Sequence, residues 1–297
     1  MKALAFGAPL AVIAVLVSAL SGCSAAAPTN DDRVHVVAST NVYGDIAGMI
    51  GGDLVDVTSI ISNPAQDPHS YQGSARTQLA LSKADIVIEN GGGYDDWVYS
   101  LLAGIGGDKV LINATALSGY PRATHFNEHL WYDFPTMRAV ADRVALRLSE
   151  ANPAGKTTFH ANAHRFDRAL RALENREHAL AAANRGRGAA ITESVPNYVL
   201  EACGLTIVTP PEFSQAIEEG TDVPPLALQH TLDLFAAGTA DVLVYNAQTS
   251  GPQTLAVIRA AKKAHVPVIA VTETLPAGRD YLEWMDATLS GLERALT

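Results

Sequence analysis

One stretch limits the folds open to this 297-residue chain more than any other: Asn152 to Arg185, NPAGKTTFHANAHRFDRALRALENREHALAAANR. Phe159, Phe166, Leu170, Leu173 and Leu180 recur at spacings of seven, four, three and seven, and Arg, Asp, Glu and Asn fill the other positions. That is the apolar stripe of an amphipathic helix. Asn152-Pro153 supplies a start and Gly186 a stop. A helix of roughly 30 residues is about 45 Å long, well beyond the usual globular length. On either side of it, short β-rich runs alternate with helical ones. The expected fold class is therefore α/β: two lobes, each with a parallel sheet flanked by helices, joined by one long spine helix.

The alternation can be followed along the chain. Val34–Ala38, Leu54–Ile61, Asp85–Glu89 and Lys109–Ile112 read as strands, with helices at Gly44–Ile50, Thr77–Ala84 and around Trp97 to Leu102. After the spine, strands at Ala189–Thr192, Leu205–Val208, Asp241–Tyr245 and Val266–Val271 alternate with helices at Pro196–Cys203, Pro225–Ala236, Gln253–Ala264 and Tyr281–Leu296. Such alternation calls for parallel sheets covered on both faces. No sequence repeat relates the halves, so the expectation is similar architecture and not duplication. The domain plan is 1–22 export signal, 23–33 tether, 34–150 N-terminal lobe, 151–186 spine and 187–297 C-terminal lobe.

The N-terminus carries an address. Met1-Lys2 gives a positive start, Leu4 to Leu20 is uncharged and mostly apolar, and Leu20-Ser21-Gly22-Cys23 is followed by a polar stretch from Ser24 to Asp32. A short apolar region ending in small residues is an export signal, and 17 residues is the lower edge for spanning a bilayer. The LSGC sequence resembles a bacterial lipobox, which implies that Cys23 carries lipid and holds the protein at the outer face of the cell membrane. Cys203 then has no partner for a disulfide in a monomer and reads as a small buried hydrophobe. A formal charge of −10 argues against nucleic acid, which calls for a basic face.

Ligands of open parallel sheets collect at the carboxyl ends of the strands. Four loops there carry a metal-binding type of side chain. His69 lies in Asn63-Pro64-Ala65-Gln66-Asp67-Pro68-His69, where the prolines stiffen the loop and bias Asp67 toward extended backbone. His129 lies in Asn127-Glu128-His129-Leu130-Trp131-Tyr132-Asp133, while Glu193 and Glu273 each end a strand of the second half. Two imidazoles and two carboxylates, two residues from each half, would close an N₂O₂ site suited to Zn²⁺ or Mn²⁺ and too nitrogen-rich for Ca²⁺ or Mg²⁺. Each residue also has a plain structural reading, as a solvated loop His or a helix-capping Glu. Gly91-Gly92-Gly93 fits neither nucleotide-binding glycine pattern and reads as a tight strand-to-helix turn.

The four segments together resemble the substrate-binding lipoproteins of bacterial zinc and manganese ABC transporters, the ZnuA/TroA-like group. DPHSYQ, NEHLWYD, ITESVPNYVLEACGL and VTETLPAGRDYLEWM are similar, in order, to that family's ligand motifs. The resemblance covers essentially the whole chain from Val34 and implies His69, His129, Glu193 and Glu273 as ligands. It also implies a monomeric binder that hands its metal to a membrane permease with its ATPase. Three departures stand out. Glu128 replaces a Pro common in the family, Glu273 replaces the Asp common in manganese-type members (with Asp280 as the fallback ligand), and the His-rich loop of many zinc-specific members is missing. Two rival classes remain. A secreted metallohydrolase would need an open metal position and a general base, and HExxH and GxSxG are both absent. A binder of chelated iron or of an organic ligand would need aromatic or Arg groups in the cleft. His125, His160, His164 and His230 have no motif around them and are expected at the surface or on helices. The binding reading itself predicts that affinity falls as the two imidazoles protonate, and the spine predicts small hinge changes rather than wide closure.

Overall fold

A computed structural model describes residues 1–2, 33–66, 68–106, 109–121 and 126–297. Its contacts divide the chain into Met1–Asp32 and Arg33–Thr297. The export signal, Cys23, the tether, Asp67 and His125 lie outside the described residues, apart from Met1, Lys2 and Arg33.

The first half runs β1 Val34–Thr40, α1 Asn41–Gly51, β2 Val55–Ile61, α2 Ala75–Lys83, β3 Ile86–Glu89, α3 Trp97–Ile105, β4 Val110–Asn113, α4 Ala114–Ser118 and α5 Phe134–Ala151. The spine is α6, Lys156–Asn184. The second half runs β5 Gly188–Ile191, α7 Asn197–Ala202, β6 Thr206–Ile207, α8 Pro211–Glu218, α9 Pro225–Ala236, β7 Val242–Asn246, α10 Pro252–Lys263, β8 Val268–Val271 and α11 Tyr281–Leu296. Each half holds a four-stranded sheet, ordered β2-β1-β3-β4 and β6-β5-β7-β8. Every ladder is parallel, with Val36 opposite both Val57 and Ile86, and Val244 opposite Ile191 and Ile269. The strand order reverses at β1/β3 and at β5/β7, so each sheet has a crevice at the carboxyl end of those pairs.

The strands form where buried Val, Ile and Ala follow one another. IVIE of β3 and GAAI of β5 are buried at every residue, as parallel strands covered on both faces must be. Gly44 lets α1 lie close on β2, since a Cβ there would collide with Ser59 Oγ. Cys203 is buried, and burial pushes its thiol far above the ordinary range.

The spine buries Phe159, Phe166, Leu170, Leu173 and Leu180, the stripe read from the sequence. It begins later than expected, because Asn152 instead caps a separate 3₁₀ turn at Pro153–Gly155, accepting from Gly155 N at 3.3 Å. It is also not solvated along its whole polar face. Asn162, Glu177 and Asn184 are buried, because α5, α1 and α11 cover α6 on several sides. Asn162 Nδ2 donates to Ile50 O (2.8 Å) on α1, and Arg176 reaches Glu293 on α11 through Nε (2.9 Å) and Nη2 (2.9 Å). One buried core consequently runs from β1 through α1, α5 and α6 to α11. The lobes share this core, and smaller outer cores lie under α2 and α3 and under α9 and α10.

Further bonds cross between the lobes near the strand ends. Asn41 Nδ2 donates to Leu275 O (2.9 Å) while its Oδ1 accepts from Leu275 N (2.9 Å). Tyr132 OH donates to Thr272 O (2.9 Å), and Tyr281 N donates to Asp45 (2.8 Å). The turn after β8 is in this way fastened to the opposite lobe.

Candidate metal centre

The strand-end loops of the two lobes face one another across a cleft of about 1110 Å³. His69, Glu193 and Glu273 line it together with Asn127, Glu128, Ser194, Glu218 and Gln248. Three of the four expected residues converge tightly. One ligand atom each from His69, His129 and Glu273 lies within 4.8 Å of the others. Glu193 shares the cleft but is not in that group. Asp280 is placed elsewhere: it caps α11, with Oδ1 accepting from Glu283 N at 2.8 Å, and it does not line this cleft.

His69 enters from the loop after β2 with a quarter of its side chain exposed. Its Nδ1 is 3.6 Å from Glu128 Oε1 and its Nε2 is 3.6 Å from Glu273 Oε2, so a carboxylate from each lobe flanks the ring. Its ring and that of Tyr94 meet nearly at right angles, at 4.9 Å between centroids. Tyr94 reaches this point because Gly91, Gly92 and Gly93 all take positive φ, 72°, 72° and 105°, and turn the chain sharply after β3. Such backbone is open to glycine and strained for other residues, which accounts for the triple Gly without a phosphate.

His129 is fully buried, just ahead of a 3₁₀ turn. Asn127 Oδ1 sits 2.7 Å from its Nδ1 and accepts from its backbone N at 3.1 Å. Asn127 Nδ2 donates to Ser194 O (3.1 Å). Reversing that amide would set donor against donor and acceptor against acceptor, so the oxygen faces Nδ1. Nδ1 therefore carries the proton and Nε2 the lone pair. Nε2 is buried without a hydrogen-bond partner, the state of a nitrogen ready to bind a metal with its other edge fixed by an acceptor.

The two glutamates differ. Glu273 is 7% exposed; Asn246 Nδ2 donates to its Oε1 at 2.7 Å and Tyr94 OH to its Oε2 at 3.4 Å. Burial acts to raise its carboxyl, but contact with His69, the charges of His129 and His69, and the Asn246 bond outweigh it and hold the group below the ordinary carboxylate range. Glu193 is 3% exposed, and one of its oxygens is buried without a partner. Burial and then the charge of Glu273 push its carboxyl up to about 7, against hydrogen bonds from Asn246 and Thr249. A cation would relieve both pressures at once.

Sequence reasoning missed several of these residues. Asn246 ends β7, where the strand-end rule could have flagged it. Gln248 accepts from Glu273 N (2.6 Å) and Thr274 N (3.0 Å) and donates to Pro64 O (2.7 Å), tying the Glu273 turn to the His69 loop. Glu218 ends α8, a helix that the sequence pattern does not reveal. His160 and His164 lie on α6 and His230 on α9, away from the cleft as expected.

Known proteins resemble this chain in sequence and in fold. Residues 36–295 fit the family described as "Zinc-uptake complex component A periplasmic". The manganese-binding lipoprotein MntA of Halalkalibacterium halodurans is 23% identical over 250 residues, 78% of this chain and 83% of that one. The metal ABC transporter substrate-binding lipoprotein ScbA of Streptococcus cristatus is 26% identical over 186 residues, 59% of this chain and 60% of that one. In fold, the periplasmic zinc-binding protein TroA of Treponema pallidum superposes with a TM-score of 0.73 at 17% identity, covering 89% of this chain and 99% of that one. The family's members are solute-binding proteins and not enzymes, which removes the metallohydrolase reading. With two parallel sheets, a spine helix and a family match from residue 36 to residue 295, this chain belongs to the family of periplasmic A components of zinc-uptake complexes.

Proposed function

We propose that the protein captures one divalent transition-metal ion, Zn²⁺ or Mn²⁺, with His69, His129, Glu193 and Glu273 as ligands, and delivers it to an ABC permease with its ATPase. The observation that carries this reading is the convergence of His69, His129 and Glu273 from loops of both lobes to within 4.8 Å. Glu193 completes the set: it lines the same cleft, and one of its oxygens is buried without a partner. Two nitrogen and two oxygen donors suit either metal, and the named relatives include a manganese binder and a zinc binder. Binding of chelated iron or an organic ligand is the weaker reading, since no Arg lines the cleft among the described residues.

Lipid on Cys23 holds the mature protein at the outer face of the membrane, a reading supported by the lipobox-like LSGC and by relatives named as lipoproteins. Among the described residues no helix is long and apolar enough to cross a membrane. The chain works as a monomer, with lobes at 34–150 and 187–297 on either side of a linking segment 151–186.

Elemental analysis with competitive Zn²⁺/Mn²⁺ titration tests the reading, beside a His69→Ala, Glu193→Ala variant. One equivalent of metal in the parent and none in the variant is the expected result. A parent that takes up neither metal would overturn it and bring the organic-ligand reading forward.

A further inference from the structure

The two glutamate turns of the second lobe are held in different ways. Beside Glu193, Ser194 N and Ser194 Oγ donate to Glu218 Oε2 (3.0 Å and 2.6 Å), a carboxylate of the same lobe. The Glu273 turn is held by Gln248, whose Oε1 accepts from Glu273 N (2.6 Å) and Thr274 N (3.0 Å). Gln248 Nε2 donates to Thr274 Oγ1 (2.9 Å) and to Pro64 O (2.7 Å). Both acceptor positions of the amide oxygen and both N–H groups are thus used. Two backbone N–H groups on one atom fix the orientation of the amide, since reversing it would set donors against donors. One of its N–H groups stays within the turn, and the other crosses to the opposite lobe.

Pro64 is placed to receive it. Asn63-Pro64-Ala65-Gln66 is a turn closed by Gln66 N donating to Asn63 O (2.9 Å), with Asn63 Oδ1 also accepting from Ala65 N (3.0 Å). Asn at the first position and Pro at the second are what such a turn favours. The closing bond uses the carbonyl of Asn63 and leaves that of Pro64 for an outside donor. Pro64 is exposed and Gln248 lines the cleft, so their bond lies at the solvent edge of the cleft. It joins the loop that continues to His69 with the turn that carries Glu273, the same two segments that bring His69 Nε2 to 3.6 Å from Glu273 Oε2. Other bonds that reach the Glu273 turn from the first lobe start at Asn41, Tyr94 and Tyr132, none of which lies in the His69 loop.

We propose that Gln248 is a clasp between the lobes that sets how fast the bound metal leaves. The proposal rests on the metal-binding reading above and adds the step that governs release. Gln248 is a positioning residue, since none of these bonds goes to an imidazole or to a ligand carboxylate. For one ion to lose His69 and Glu273 together, the two loops must part, and parting breaks the bond from Gln248 Nε2 to Pro64 O. The Glu193 turn, held by Glu218 within its own lobe, carries no such bond to the His69 loop. Glutamine suits the task because it both accepts and donates. A glutamate would keep the acceptor and lose the donor, and an asparagine is one methylene shorter.

Stopped-flow release of bound Mn²⁺ into a chromogenic chelator tests this in Gln248→Glu, Asn63→Ala and the double variant. Gln248→Glu keeps an oxygen for Glu273 N and Thr274 N and removes the donor to Pro64 O. Its added negative charge acts through the general field to slow release of a cation. Loss of the clasp acts the other way and should speed release about threefold to tenfold, the size of one hydrogen bond. Asn63→Ala, in the opposite lobe, loosens the turn that presents Pro64 O and should speed release about twofold. The double variant should release no faster than Gln248→Glu, because both changes act on the same bond. Release that is unchanged or slower in Gln248→Glu would overturn the clasp. So would factors that multiply in the double variant, since each residue would then support its own lobe separately. In those cases a parent that still binds one equivalent leaves the metal-binding reading standing; a parent that binds none sinks both.

Discussion

Glu193 and Glu273 follow strands that flank β7 in one sheet, are almost equally buried and share Asn246, yet their carboxyls are shifted in opposite directions. Glu273 faces His69 and receives Tyr94, both from the opposite lobe. Glu193 faces its neighbour's negative charge. Burial penalises both, and the imidazoles decide which of them keeps its charge. A third buried glutamate serves as the control. Glu177 of the spine is 4% exposed, one of its oxygens has no partner, and burial, with the charges of Glu174 and Asp133, pushes its carboxyl up to about 8. Burial without a cation or imidazole nearby therefore keeps a glutamate neutral in this fold. The Glu273 turn is charged because the other lobe reaches it.

The largest expected effect follows directly. Glu273→Ala removes the carboxylate that already sits against His69, and should weaken Zn²⁺ or Mn²⁺ binding on the order of 10³-fold, the scale of a lost ligand in a charged buried site. Glu193→Ala should cost on the order of tenfold, because Glu193 must first surrender a proton at neutral pH. Isothermal titration at pH 7 checks both. Equal losses would mean that the two turns are energetically equivalent, against the contrast drawn from their surroundings.

Next in size is the control itself. Glu177 titrates near 8 in the folded chain and near the ordinary carboxylate value when unfolded, so between those values the folded state holds more protons. Its contribution is fully favourable below the unfolded value and is lost as pH rises toward 8. Glu177→Gln should leave stability nearly unchanged at about pH 4.5 and raise it by about 2 kcal/mol at about pH 8. That is roughly half of what a full ~1.4 kcal/mol for each pH unit across the window would give, since the fold relaxes around a buried charge. Denaturant midpoints of both proteins across that range measure it. A constant difference at all pH values would show that Glu177 keeps its charge in the spine.

Asn246→Ala should cost both glutamates a donor. A bond to a charged group contributes ~1.5–3 kcal/mol, so metal affinity should fall about tenfold. If Asn246 serves Glu273 first, as the 2.7 Å bond indicates, the loss should nearly vanish in a Glu273→Ala background while persisting in Glu193→Ala. A double-mutant cycle reads the difference.

These contrasts were only partly legible in the sequence. The lobes, the sheets and the strand-end positions of His69, Glu193 and Glu273 could be read because apolar runs bounded by Gly and Pro mark buried parallel strands, and ligands gather where such strands end. The surroundings could not. α8 begins at Pro210-Pro211 and spans eight residues, too short for a clear helical period, and Glu218 was hidden with it. Periodicity gives the spine one apolar face, whereas α1, α5 and α11 cover it on several, so the burial of Glu177 does not show in the pattern. Asn246 and Gln248 lie in NAQTSG, which reads as an ordinary turn.

The smallest effect is the sharpest probe of lobe-to-lobe support. Tyr94 OH lies 3.4 Å from Glu273 Oε2, a long bond, while its ring is fixed independently against Trp131 at 4.9 Å and against His69. Tyr94→Phe keeps the ring and removes only the hydroxyl. A weak hydrogen bond contributes under ~1 kcal/mol, so metal affinity should fall about twofold to fourfold with the melting temperature almost unmoved. Tyr94→Ala should do far more, because the ring also supports His69. A loss in Tyr94→Phe as large as in Tyr94→Ala would mean that the hydroxyl tightens onto Glu273 when metal binds, and that the N-terminal lobe fixes the carboxylate by a hydrogen bond more than by packing. A loss confined to Tyr94→Ala would assign the support to the ring, leaving Asn246 as the donor that sets the charge of Glu273.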